Sequence, residues 1–110
     1  MTDDNKKILE ARCQRQIIEN LRKVGKEIGP RTRMIQIIAE HGVVEGLRSL
    51  KNEETSGWND LYLAGLLGYS AEATVVQSSD FRQLFETDEL LKMEADLRAS
   101  GYEPVVADNS

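Results

Sequence analysis

The sequence is poor in the residues that build metal sites, disulfide frameworks and aromatic stacking surfaces. Its 110 residues include one cysteine, one histidine and two prolines, and all six aromatic residues follow Gly57. One cysteine excludes an intramolecular disulfide framework, and with one histidine it cannot supply the three or four ligands that zinc takes. We therefore predict no cofactor and no metal, in a protein of a reducing compartment.

Long apolar runs are also missing. No segment approaches the roughly 18 apolar residues of a membrane span, and residues 1–20 are too densely charged for the apolar region of a secretory signal. These absences predict a cytoplasmic protein without membrane contact. The composition that remains, with 40% apolar and 30% charged residues, is typical of one globular domain.

The first segment carries the clearest helical pattern. Ile17, Leu21, Val24 and Ile28 form one apolar stripe at helical spacing, and Ile18 widens it. Gly29-Pro30 ends this helix, because proline restricts the residue before it and cannot continue the hydrogen-bond ladder. The pattern predicts one long amphipathic helix at residues 2–29.

Shorter helices follow at intervals set by glycine and by small polar residues. The expected boundaries are a glycine cap at Gly42, a stop at Gly68, a serine cap at Ser70, a threonine cap at Thr87 and a glycine cap at Gly101. In the last helix, Leu90, Leu91 and Leu97 are expected to face inward. The fold class is all-α, a small orthogonal bundle of about six helices with a long N-terminal helix. We predict one domain over 1–110, with a compact helical module at 30–102 and a frayed tail at 103–110.

The caps and apolar positions in the later part of the chain resemble those of a known helical module. The residues that carry the resemblance are His41-Gly42-Val43-Val44-Glu45-Gly46-Leu47-Arg48, Gly57-Trp58-x-x-Leu61, Ser70-Ala71-Glu72-Ala73, Val75-Val76, Phe81-x-x-Leu84-Phe85 and Leu97-x-x-x-Gly101-Tyr102. Over residues 34–102 the chain resembles an uncharacterised helical module of bacteria for which no activity is known. The resemblance implies a helical scaffold and brings no catalytic or binding site with it.

The sequence offers few candidate residues for catalysis, metal binding or phosphate binding. Cys13 and His41 are the only possible thiol–imidazole pair, and a nucleophile needs its base within hydrogen-bond reach. Glu86, Asp88 and Glu89 lack the ligand spacing and central glycine of a calcium loop, and they fit a helix N-terminus instead. A phosphate-binding glycine loop is absent. We therefore predict that the protein is not an enzyme.

Charge divides the chain into two unequal halves. Residues 1–51 hold 11 Lys/Arg against 7 Asp/Glu, a net +4, whereas residues 52–110 hold 3 against 12, a net −9. Such polarity can steer a charged partner or make two copies attract each other. One hypothesis drawn from the −9 half is an acidic mimic of nucleic acid that binds a basic protein groove.

A second hypothesis is a helix–turn–helix-like protein that binds DNA. Residues 33–51 read as two helices with Gly42 in the turn. The basic residues available for contact are Arg31, Arg33, Arg48 and Lys51. Against this interpretation, few basic residues lie on the would-be recognition helix, and the aromatic residues lie in the acidic half.

The leading hypothesis is a non-enzymatic protein-interaction module that binds a protein partner or a second copy of itself through the first helix. The predicted interface consists of Ile17, Ile18, Leu21, Val24 and Ile28, and the predicted assembly is a homodimer. The alternative for the same stripe is a place in the chain's own core, with the basic side chains extending to solvent.

Overall fold

The computed structural model describes residues 3–51 and 57–106, without the side chains of residues 50, 51 and 57–59. Within these ranges the chain forms six α-helices and two 3₁₀ turns, and no β-strand. The helices are α1 (Asp3–Ile28), α2 (Thr32–His41), α3 (Val43–Lys51), α4 (Gly57–Ala64), α5 (Ala71–Val76) and α6 (Thr87–Ala99); the 3₁₀ turns are Leu67–Tyr69 and Phe81–Leu84. The all-α prediction with a long N-terminal helix is confirmed.

Helix α1 spans the whole molecule. Its 26 residues extend over about 39 Å at the usual rise per residue, which matches the longest dimension of the protein, 39 Å. One face of the helix is apolar and buried. The buried residues on it, called here the α1 seam, are Leu9, Cys13, Ile17, Leu21 and Val24, and each is at most 7% exposed.

The α1 seam is a common wall for the other elements. Helices α2, α3, α4 and α5 and both 3₁₀ turns all pack against α1. The remaining core side chains include Ile38 of α2, Val43 of α3 and Val75 of α5, each at most 1% exposed. Helix α6 joins the core mainly through α5.

One buried polar residue interrupts the apolar face of α1. Asn20 is 9% exposed, and its amide nitrogen donates to Thr74 Oγ1 of α5 at 3.0 Å. Thr74 in turn donates to the Ser70 carbonyl oxygen at 2.8 Å, while Gln16 donates to Asn20 Oδ1 at 3.0 Å. A satisfied polar chain of this kind fixes the position of α5 along α1, because displacement would leave buried polar groups without partners.

Several predicted helix ends are confirmed. Gly42 has φ +84° and donates to the Ile38 carbonyl, and the Ser70 hydroxyl accepts from the Ala73 N–H at 3.1 Å as an N-cap. At the end of α6, the Gly101 N–H donates to the Arg98 carbonyl and the Tyr102 N–H to the Leu97 carbonyl. This pair of bonds, with Gly101 at φ +84°, is a Schellman motif.

Three predicted positions are wrong. Helix α4 ends before Gly65, which has φ +72°, so the stop comes three residues ahead of Gly68. The cap of α6 is Glu86, whose carboxylate and that of Glu89 form a reciprocal capping box, and Thr87 is already helical. Leu91 does not face inward: it is 57% exposed, because only one face of α6 can meet the core.

The chain beyond α6 returns to the domain. The Tyr102 hydroxyl donates to Gln77 Oε1 at 2.7 Å, and the same oxygen accepts from the Val105 N–H at 3.3 Å. The Tyr102 ring covers Gly68, where an added Cβ would lie 3.2 Å from the hydroxyl oxygen. Residues 107–110 of the predicted tail lie outside the described residues. The side chain of Trp58 lies outside them too.

Helices α2 and α3 approach each other closely where Gly46 faces Ile38. A Cβ built on Gly46 would lie 3.0 Å from the Ile38 Cα and 3.4 Å from the Ile37 carbonyl oxygen. Both neighbours are backbone atoms, which cannot move aside as a flexible side chain can. Gly46 therefore sets the distance between the two helices.

We expect Gly46→Ala to destabilise the protein by roughly 1–3 kcal/mol, because overpacking here outweighs the better helix propensity of alanine. Gly25→Ala is the matched control, since a Cβ there would meet its nearest neighbour, Pro30 Cα, at an ordinary 3.5 Å. That change is expected to be neutral or to stabilise by up to about 1 kcal/mol. Urea unfolding of both variants measures the difference, and equal stability of the two would contradict the close approach.

Candidate functional site

The predicted interface stripe lies mostly inside the domain. Ile17, Leu21 and Val24 are at most 1% exposed, and Ile18 and Ile28 are partly buried against the same core. The three buried side chains are unavailable to a partner in this conformation. Any association through α1 must therefore use the sides of the helix that face outward.

Two of the four residues predicted for nucleic-acid contact hold the fold together. The Arg31 guanidinium donates to the Gly29 and Ile28 carbonyl oxygens at 3.1 and 2.9 Å, and it pairs with Asp60 of α4 at 3.4 Å. In this position it binds the carbonyl groups at the end of α1. Its side chain is 15% exposed, so it presents little charge to a ligand.

Arg48 connects α3 to α6. Its guanidinium forms two parallel hydrogen bonds with the Glu89 carboxylate, at 2.8 and 2.9 Å, and a third with Glu45 at 3.1 Å. The hydrogen bonds and charges of both carboxylates raise the pKa of Arg48 above its ordinary value. Arg33 is exposed and has an interaction within the chain, and the Lys51 side chain lies outside the described residues. The four residues thus do not form one free basic surface.

Ion pairs occupy most of the described Lys and Arg side chains that follow α1. The pairs, besides those of Arg31 and Arg48, are Arg82–Glu94 at 2.6 Å, Lys92–Asp96 at 2.9 Å and Arg98–Glu103 at 3.1 Å. These contacts also neutralise much of the acidic half. The −9 half is therefore a less free acidic surface than its composition suggests.

The basic side chains of α1 behave differently. Arg12 lies 3.8 Å from Asp80 and 6.0 Å from the centroid of the Phe81 ring. The others on this helix form no ion pair within the part of the chain that the structure describes; they are Lys6, Lys7, Arg15, Arg22, Lys23 and Lys26. Helix α1 thus carries most of the described basic side chains that have no ion-pair partner, and its seven Lys/Arg against five Asp/Glu give it a net charge of +2.

Two hollows lie along the outward side of α1. The first, called here the outer hollow, has about 380 Å³ and is lined by Ala11, Gln14, Arg15, Ile18, Glu19 and Arg22. These residues lie on one side of the helix at helical spacing. Ile18 gives the hollow an apolar centre between Arg15 and Arg22.

The second hollow lies where α1 meets the start of α2, and we call it the α1/α2 groove. It has about 330 Å³ and is lined by Leu21, Arg22, Gly25, Lys26, Pro30, Arg31, Thr32 and Ile35. Its floor is apolar, and its free charges are the unpaired Arg22 and Lys26. Arg22 borders both hollows, so they form a continuous surface along α1.

The possible nucleophile is inert. Cys13 is fully buried in the α1 seam, and burial, aided by the nearby Glu10 charge, raises the pKa of its thiol to about 12. The thiol is therefore protonated at neutral pH, while a reactive cysteine needs a thiolate. His41 is exposed at the end of α2, outside the core that holds Cys13.

Among the described carboxyl groups, Glu72 has a pKa that its surroundings clearly shift. It lies in the first turn of α5, where burial, more than the nearby Asp96 charge, raises its pKa above the ordinary value. A hydrogen bond from its own backbone opposes part of this shift. The charged form is therefore less stable in the folded protein than in the unfolded chain.

Other kinds of site find no support in the described residues. No group of three or more His, Cys, Asp or Glu side chains there is arranged to hold a metal ion. No described buried side-chain nitrogen or oxygen lacks a hydrogen-bond partner. Among the described helices, none has both the length and the apolar character that a bilayer span requires.

Comparison with models of protein families, with curated proteins and with solved structures finds no match for this chain. The resemblance of residues 34–102 to a bacterial helical module therefore stays a prediction.

We expect the double change Ile17→Asp with Leu21→Asp to abolish cooperative folding. Each unpaired buried carboxylate costs several kcal/mol, and a domain of this size has only about 5–15 kcal/mol of stability. Circular dichroism during heating should show no cooperative transition. Ile18→Asp is the control, because its side chain borders the outer hollow and should leave the fold intact; a folded, cooperatively melting double variant would place the stripe outside the core.

We expect Glu72→Gln to raise the melting temperature at pH 7, since glutamine removes a charge that burial disfavours. A raised carboxyl pKa means that the folded state holds the proton more tightly, so the penalty from Glu72 appears as pH rises through the shifted range and is absent below the ordinary carboxyl pKa. The advantage of the variant should therefore shrink between pH 7 and pH 4. Glu27→Gln, at an exposed position on α1, is the control for the loss of one carboxylate. An advantage that grows on acidification would contradict the direction of the shift.

Proposed function

We propose that this chain is a non-enzymatic interaction module that self-associates through the outward side of α1. The observation that carries the proposal is that several basic side chains of that helix have no ion-pair partner. Arg15, Arg22 and Lys26 border two adjoining hollows and have no ion-pair partner among the described residues, while Arg31, Arg48 and Arg82 are each paired.

Apolar groups between these charges favour a protein partner over nucleic acid. Ile18 lies at the centre of the outer hollow, and the floor of the α1/α2 groove includes Pro30 and Ile35. Glu19 also borders the outer hollow, where it would repel a phosphate backbone. Protein interfaces combine apolar centres with charged rims in this way, whereas nucleic-acid surfaces depend on many phosphate contacts.

The distribution of charge along the chain favours a second copy of the chain as the partner. Residues 1–51 have a net charge of +4 and residues 52–110 a net charge of −9, so the positive part of one copy attracts the negative part of another. Attraction of this kind raises the rate of encounter and fixes orientation.

Light scattering on the purified protein at hundred-micromolar concentration tests this proposal. We expect a mass of at least two chains for the wild type. The double variant Arg15→Glu with Arg22→Glu should be monomeric and folded, because it replaces attraction with repulsion at both hollows. Added salt should weaken the wild-type association, since exposed charges are screened.

The matched control is Lys7→Glu with Lys23→Glu, which makes the same change of net charge on the same helix. Lys7 and Lys23 are exposed and border neither hollow, so this variant should associate as the wild type does. A monomeric wild type, or equal loss of association in both double variants, would contradict the proposed use of these surfaces.

A further inference from the structure

We propose that the α1/α2 groove of one copy receives the outward face of α6 of another, with Leu91 in the groove and Asp88 beside Arg22 and Lys26. This inference rests on the proposed self-association and names the surface that α1 binds. It makes the contact head-to-tail, because the two contacting surfaces of the chain are different.

The outward face of α6 offers an apolar group next to a free negative charge. Leu91 is 57% exposed, and Asp88, three residues earlier, is exposed too. Side chains at this spacing lie next to each other on a helix. Asp88 forms no ion pair or hydrogen bond with any described residue, in contrast to Glu89, Glu94 and Asp96 on the same helix.

The groove has the complementary pattern. Its apolar floor includes Pro30 and Ile35, and the absence of a side chain at Gly25 leaves room along the helix. Arg22 and Lys26 lie at the rim, one turn apart on α1 and without ion-pair partners among the described residues. When Leu91 lies in the groove, Asp88, one turn before it on α6, therefore lies next to Arg22 and Lys26.

Within the described residues, an aspartate three residues before an exposed leucine occurs once more, in α4. That aspartate already has an ion-pair partner. Asp60 precedes Leu63 by three residues, and Leu63 is 80% exposed. Asp60, however, pairs with Arg31 at 3.4 Å, and Arg31 itself lines the α1/α2 groove. Asp60 is therefore engaged within the chain, whereas Asp88 has no ion-pair or hydrogen-bond partner among the described residues, which makes α6 the helix that a second copy presents.

A head-to-tail contact leaves one unused groove and one unused α6 face on every pair. The groove lies between α1 and α2, whereas α6 packs mainly on α5, so the two surfaces share no residue. Further copies can therefore add at both ends, and the assembly grows with concentration unless a ring closes.

Complementation between two defective variants tests this arrangement. Leu91→Lys removes the apolar group and keeps the groove, while Arg22→Glu with Lys26→Glu disables the groove and keeps α6. Each should be monomeric alone in light scattering at hundred-micromolar concentration. Their equimolar mixture should give the mass of two chains and no larger species, because the pair that forms has a defective surface at each end.

Leu63→Lys is the matched control and should associate as the wild type does, with a mass that rises with concentration. If Leu91→Lys associates normally while Arg15→Glu with Arg22→Glu is monomeric, the α6 contact is overturned and self-association through α1 stands. The same holds if both variants are monomeric but do not complement each other. A monomeric wild type would instead overturn the proposed function itself.

Discussion

The packing of the α1 seam against the other helices is the interaction on which the rest of the structure depends. The other helices have 6 to 13 residues, and helices of this length are marginal in isolation. Burial of one Leu or Ile side chain contributes about 1.5–3 kcal/mol, and the seam supplies three such residues, Leu9, Ile17 and Leu21, along one rigid face. Helices α2 to α5 are ordered because they share this face, and the Asn20–Thr74 hydrogen bond fixes the position of α5 along it.

The uneven charge of the chain has a role inside the molecule. Arg12, Arg31 and Arg48 of the positive half pair with Asp80, Asp60 and Glu89 of the negative half. Exposed pairs of this kind contribute little stability each, but opposite charges favour this arrangement of the two halves over others that bring like charges together. What remains unpaired after folding is concentrated on α1.

Local features of the fold could be predicted from the sequence, and long-range ones could not. The ends of helices at Gly42, Ser70 and Gly101 depend on groups within a few residues, so their chemistry is visible in the sequence. Leu91 was misplaced because Leu90 and Leu91 are adjacent and the sequence does not say which of them meets α5.

The same difference between local and long-range features applies to the candidate site. The amphipathic stripe of α1 was visible, but whether it faces the chain's own core or a partner depends on elements up to 54 residues away, as the Asn20–Thr74 bond illustrates. The ion pairs of Arg31 and Arg48 span 29 and 41 residues, so two apparently free cations were structural. The groove likewise exists only because Pro30 and Ile35 come back beside α1.

The α1 seam also bears on where this domain can be divided. Residues 30–102 do not pack independently of α1: the helices that carry Ile38, Val43 and Val75 all pack against it. A protein that shares only this later part must obtain a covering helix from elsewhere, either from another region of its own sequence or from a different subunit. The covering helix is then the part of the architecture that can be supplied separately from the rest.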